Sequence, residues 1–447
     1  MIMNKSDAEA ILKKVFALSK AEGAEAGVNG GEGGNTRFAL NGVTTSGQSS
    51  DLNLFVTSYY GKKSGSATTN QFDNESIEKC VRASEEIAKL APEDPETMPI
   101  LGPQQYSEVG GSYLKEMESA DSRWRAQAVA QVLDPAKAKN LTAAGFIQTG
   151  ANFQALGTSK GLFGYSTSTI SSYTTTVRTA DGTGSGWASA VSVNPMTLDT
   201  KFVADRSIWK AENSTKPVAI EPGKYTVILE PSAVADLIAF LMFSFDARSA
   251  DEGRSFLSKE GGKTRLGDKL FSDKVHIYTD PQNEISPGAP FDGQGLPEKR
   301  MDFIKDGVVK NLTYSRFWAQ KQGKEATPFP SNVIMDGGTK SVDELVAETD
   351  RGILVTRLWY IRMLNPQTLL MTGLTRDATF LVEKGKIKHP VKNFRFNQSP
   401  VSMLSGENIE AMGKPVRTFG SEVETFPAVV PPLRVRDFNF ASLSDAV

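Results

Sequence analysis

The chain has 447 residues, 39% of them hydrophobic and 23% charged, which excludes wholesale disorder and supplies core material for roughly two or three domains. Its 50 Lys and Arg residues nearly balance 52 Asp and Glu residues, giving a formal charge of -2, so the total argues against a polyanion-binding surface. The single cysteine, Cys80, excludes intrachain disulfides and Cys-rich metal sites and fits a reducing compartment.

The elements follow in chain order. Residues 6–20 carry a helical stripe of Ala8, Ile11, Leu12, Val15, Phe16 and Leu18, closed by a Gly-rich turn at Gly23 and Gly27. Asn41-Gly42 then signals a type I′ hairpin, and Leu52, Leu54 and Val56 alternate as a half-buried strand does. A helix from Asn74 presents Ile77, Cys80, Val81, Ser84, Ile87 and Ala88 on one face, with Cys80 as a small core residue. Pro92, Pro95, Pro99 and Pro103 disfavour both helix and central strand, which places a linker there. The expected division is 1–95, a middle Ser/Thr/Gly-rich β segment at 104–220, and 221–447.

The middle segment opens with a helix over 122–132, stopped by Asp134-Pro135, and continues in antiparallel strands such as Tyr173, Thr175, Val177. In the third segment the strand KYTVILE leads through Pro231-Ser232 into a helix. Its face comprises Val234, Leu237, Ile238, Leu241, Met242 and Phe245. Hairpins are expected at Asp306-Gly307 and Lys384-Gly385, and a capping box at Ser341 and Glu344. The most apolar run, 233–245, contains Asp236 and falls short of the roughly 20 residues of a bilayer span. The first 20 residues lack an unbroken apolar core with a cleavage site, so a cytoplasmic location without membrane contact is expected.

Few residues form a pattern that carries chemistry. His276 and His389 are the only histidines, each in a strand-like context without a second ligand at helical spacing, and each reads as structural. GTSKG puts Ser159 at the nucleophile position of G-x-S-x-G, but β-like sequence follows where that elbow needs a helix, so a turn is the better reading. KEGGKT carries Leu257 where a P-loop requires glycine. Asp246, Asp251 and Glu252 could form an acid/base pair or cation site, and read more simply as a solvated helix end.

The strings YTVILEPSAVADLIAFL, PFDGQGLPEKRMDFIKDGVV, RGILVTRLWY, TGLTRDATFLVEKGKIKHPVKNF and NTRFALNG resemble the TldD/PmbA family. The resemblance implies an α+β fold: an N-terminal α/β domain followed by a larger β-rich C-terminal domain with mostly antiparallel sheets. This agrees with the segments above. TldD-type members carry H-E-x-x-x-H on the helix matching residues 231–245, and a later Cys completes a zinc site. Here that helix has no His, and no Cys follows Cys80, so the resemblance is to the PmbA (TldE) branch. It implies a non-metal subunit of a cytoplasmic two-component metallopeptidase acting on unstructured peptides. No catalytic or metal residue is assigned to this chain, its substrate-binding residues are unknown, and zinc is expected in a TldD-type partner. The alternative is a homo-oligomeric peptide-binding scaffold using the apolar face 234–245 or the Trp359-Tyr360 pair. The family's older label, modulator of DNA gyrase, suggests nucleic acid. The basic hairpin KGKIKHPVKNFRF, however, alternates as a solvated face does, and no direct binding is expected.

Overall fold

In the computed structural model, residues 2–423 and 427–445 are described, and they form an α+β protein whose sheets are mostly antiparallel. The first sheet has six strands in the order β3-β2-β1-β4-β5-β6. They are β1 (Gly23–Ala39), β2 (Gly42–Tyr60), β3 (Lys63–Thr69), β4 (Leu141–Thr158), β5 (Phe163–Thr179) and β6 (Ser185–Ser192). One face is covered at one end by α1 (Lys5–Leu18) and α2 (Asn74–Leu90), over Ala26, Val28, Leu54, Val56 and Phe153. The other end is covered by α3 (Ser122–Ala138) and α4 (Thr200–Asn213), over Phe38, Ala143, Ile147, Tyr173 and Val177. The helices sit close: a Cβ at Gly65 of β3 would lie 2.2 Å from the Ala88 backbone nitrogen.

Several expectations change. The Gly-rich run 23–34 is strand, not turn, because β2 and β4 pair with it on both sides and satisfy a backbone that its side chains would not commit. The hairpin turns at Leu40-Asn41, with φ of 50° and 60°, one residue before the expected Asn41-Gly42. Tertiary bonds move it: the Asn41 side chain donates to Leu141 O and accepts from Ala143 N at 2.7 Å each. Ile87 is half-exposed while Glu85 is buried, accepting from Lys20 N and pairing with Arg82. The third helix runs through Pro135 to Ala138, since the bond Pro135 omits would go to the carbonyl of the exposed Gln131, which is open to solvent.

The division at 95–104 is not a division between sheets, since strands from both sides of it share the first sheet. The proline segment instead passes between that sheet and the C-terminal unit. Leu101 and Tyr106 pack with Leu156, Leu162 and Phe291, and Tyr106 OH donates to Gly295 O at 2.9 Å.

The rest of the described chain forms a nine-stranded sheet, a second six-stranded sheet and a two-stranded one of Ser258–Lys259 and Lys263–Thr264. Strand β7 (Gly223–Leu229) lies in the larger sheet between Arg351–Val355 and Leu433–Leu443. Helix α5 (Pro231–Phe243) is packed among residues of both sheets, including Leu229, Ile353, Phe303 and Val333. The hairpins at Asp306-Gly307 and Lys384-Gly385 have positive φ at both central residues, and the Ser341/Glu344 capping box is formed.

Candidate functional site

Helix α5 starts at Pro231, whose fixed φ suits a first turn, and its strongly apolar sequence buries it on nearly every side. Its one titratable side chain is Asp236, fully buried. The carboxylate accepts from the backbone nitrogens of Ser421, Glu422 and Val423 at 3.0, 2.9 and 3.3 Å, and from Ser421 Oγ. Burial pushes this carboxyl up to about 7, although those donors favour its ionised form. At Gly420 a Cβ would lie 2.0 Å from Asp236 Oδ1, so the loop closes on the helix only with glycine there. A zinc ion needs three protein ligands here. One carboxylate already held by three backbone N–H donors does not fit that need.

The other sequence candidates are dispersed. Ser159 lies in the exposed β4–β5 turn, where its Oγ accepts from Ala24 N at 3.0 Å. His276 bridges Asp336 at 2.8 Å and Asp302 at 3.1 Å, and His389 contacts Pro390 O. Asp246 caps residues 247–251 through Ser249 N, Asp251 accepts from Trp318 Nε1, and Glu252 pairs with Arg248 and Arg254. Because Ser159 meets no base, Ser159→Ala is expected to cost about 1 kcal/mol of stability for the lost hydrogen bond. Fluorophosphonate labelling of wild type and variant should be equally absent, and labelling abolished by the substitution would restore a hydrolase reading.

The face of the first sheet opposite α1–α4, only partly covered by the proline segment and Phe291, carries a feature the sequence candidates did not include. The register across β2, β1, β4 and β5 sets side chains in ranks: Asn53, Asn29, Gln154, Ser166, then Asp51, Gly31, Asn152, Ser168. These ranks line a groove of about 1020 Å³, bordered by Gly288 and Ala289 of the C-terminal unit. Its only charged lining residues are Glu32 and Asp51. Amides, hydroxyls and bare glycine backbone can donate to and accept from an extended peptide without selecting its side chains. A lining without Lys or Arg does not suit a phosphate backbone. The alternation Asn29, Gly31, Gly33, Asn35 was the available signal.

A charged cluster joins the two units. Lys210 on α4 donates to Trp187 O at 2.9 Å and to Glu230 at 2.7 Å, and Arg206 reaches the other oxygen of Glu230 at 2.8 Å. Burial alone would raise the Glu230 carboxyl, but the two cations outweigh it and hold it below the usual range. Burial lowers the Lys210 ammonium more than Glu230 restores it.

Comparison with known proteins gives a consistent picture. Residues 222–442 match the model described as the PmbA/TldA metallopeptidase C-terminal domain, and residues 24–88 match PmbA/TldA metallopeptidase domain 1. The metalloprotease PmbA of Escherichia coli O157:H7 is 23% identical over 426 residues, 92% of this chain and 90% of the relative. The crystal structure of TldE from Thermococcus kodakarensis superposes with a TM-score of 0.85 at 17% identity, covering 98% of this chain and 99% of that one. A Thermotoga maritima protein described as a candidate modulator of a DNA gyrase gives 0.82 at 20% identity, covering 97% and 100%.

Proposed function

The chain belongs to the PmbA/TldD metallopeptidase family, and from that premise we propose that it is a non-metal subunit of a two-component peptidase acting on unstructured peptides. The observation that carries the reading is α5. The helix that bears H-E-x-x-x-H in TldD-type proteins is here an apolar core helix whose one carboxylate is consumed by the 420–423 loop. The polar groove supplies what remains to such a subunit, a surface that holds extended backbone while a TldD-type partner supplies zinc and its water. The proposed setting is the cytoplasm; among the described residues no helix is long and apolar enough to cross a membrane.

The test is co-expression with a TldD-type subunit bearing H-E-x-x-x-H. The two should co-purify, and chelator-sensitive hydrolysis of an unfolded peptide should require both. This chain alone should hold far less than one zinc and cleave nothing. Asn152→Arg, an exposed change within the groove, should raise KM more than it lowers kcat. A partner fully active alone that never binds this chain would overturn the proposal.

The scaffold alternative loses one of its two surfaces, because the 234–245 face is packed into the core. Tyr360, Met363 and Leu364 do remain exposed on Leu358–Asn365, an edge strand of the nine-stranded sheet. Light scattering showing a stable homo-oligomer that Tyr360→Lys disperses would favour it.

A further inference from the structure

A second cavity lies where β6 and α4 meet the C-terminal unit. Its volume is about 600 Å³, within the range of small-ligand pockets. The walls are apolar: Trp187, Val191 and Leu198 are buried, while Phe202 and Val416 stand at 53% and 41% exposure. Two large apolar lining side chains left partly in water are surface that an apolar guest would cover.

The charges are uneven. Five cations line the cavity, namely Arg206, Lys210, Lys340, Lys414 and Arg417, against the carboxylates Asp199, Glu230 and Asp343. Most are committed elsewhere. Arg206 and Lys210 share Glu230, Lys340 pairs with Glu348, and Asp199 caps α4 through Phe202 N. Asp343, nearly all exposed, lies 3.9 Å from Arg206. Arg417, on the strand Val416–Thr418, has no such partner among the described residues: its Nε and Nη1 are buried without a hydrogen bond. That burial lowers its guanidinium to about 10. A buried guanidinium without a counter-charge is costly, and an anion seated beside it in the cavity offsets that charge.

We propose that this pocket binds a carboxylate carried on an apolar body, with Arg417 as the anion's partner and Trp187, Phe202 and Val416 around the apolar part. A guanidinium matches a carboxylate in shape and charge. Apolar walls disfavour a bare phosphate, which would have to lose its water on every side. A free aromatic or aliphatic acid and the C-terminal residue of a peptide share this chemistry. The site is distinct from the sheet groove and stands independently of the peptidase-subunit reading.

Calorimetric titration of the full chain without partner tests it, using 4-phenylbutyrate and its amide, and an acetylated tripeptide ending in phenylalanine with a free or amidated C-terminus. At least one acid should bind, with its amide about tenfold weaker or more. Arg417→Gln should reduce the acid's affinity to the level of the amide, and leave the melting temperature unchanged or higher because an unpaired buried charge is gone. Phe202→Glu, at the exposed rim, should weaken acid binding in a protein that still folds, and decides the matter if Arg417→Gln does not fold. Binding of the free acid alone identifies small acids as the ligand class, and binding of the tripeptide alone identifies chain termini. Failure of both acids, equal binding of acid and amide, or undiminished binding in the folded variants would overturn the proposal. None of those failures touches the co-purification test above.

Discussion

Glu230→Ala is expected to destabilise the protein by about 3–5 kcal/mol, because it strands two cations whose hydrogen-bonded interior partner is this carboxylate. Lys210 is 1% exposed and Arg206 is largely covered and stacked on Trp209, so water from the adjoining cavity replaces the lost partner only in part. The loss should be read as a lower denaturation midpoint with an unchanged slope. Replacing Lys210 and Glu230 together by methionine should recover most of it, since well-packed apolar side chains often serve a buried site as well as an ion pair does. Arg206 then keeps only Asp343, at 3.9 Å on the surface. A double variant no more stable than Glu230→Ala would show that the cluster contributes through net attraction rather than by avoiding unpaired charge.

Folding stability should fall as pH rises from about 5 to 8, the reverse of ordinary acid denaturation. Asp236 and Glu298 are the cause, each pushed up to about 7, chiefly by burial. In the unfolded chain these carboxyls titrate near 3.9 and 4.3. Between those values and 7 the folded protein therefore binds more protons than the unfolded one, and stability is lost with increasing pH. It is fully present below about pH 4 and lost as pH rises through about 7. Shifts of that size correspond to about 4 kcal/mol for each of the two carboxyls. Glu230, held low, titrates below this window and adds no slope within it. Urea titrations at pH 5, 6, 7 and 8 measure the effect, and Asp236→Asn, which cannot ionise, should remove about half of the slope while lowering stability at pH 5. A stability that is flat or rising over this range in wild type would show that the backbone donors of residues 421–423 keep Asp236 ionised.

Some of this molecule is written in local sequence. The helical faces at 5–18, 74–90 and 231–243, the Asp306-Gly307 and Lys384-Gly385 turns, and the Ser341/Glu344 capping box each depend on residues within a few positions of one another. Periodicity and turn chemistry report such features directly. The family resemblance rested on longer strings from the same elements, and the missing histidines of α5 are equally plain in the sequence.

The remainder depended on partners distant in the chain. GAEAGVNGGEGG has no strand propensity to detect, and becomes strand because β2 and β4 satisfy its backbone from either side. The hairpin tip shifts by one residue because Asn41 finds Leu141 and Ala143 about 100 positions away. Asp236 reads as the odd polar residue of an apolar helix until the loop 420–423 closes over it. The groove and the Arg417 pocket are assembled from strands whose register no single segment encodes. Periodicity could determine which faces are apolar. Only tertiary pairing could decide which glycines lie bare beneath a groove and which charges are left without a partner, because both are set by what arrives from elsewhere in the chain.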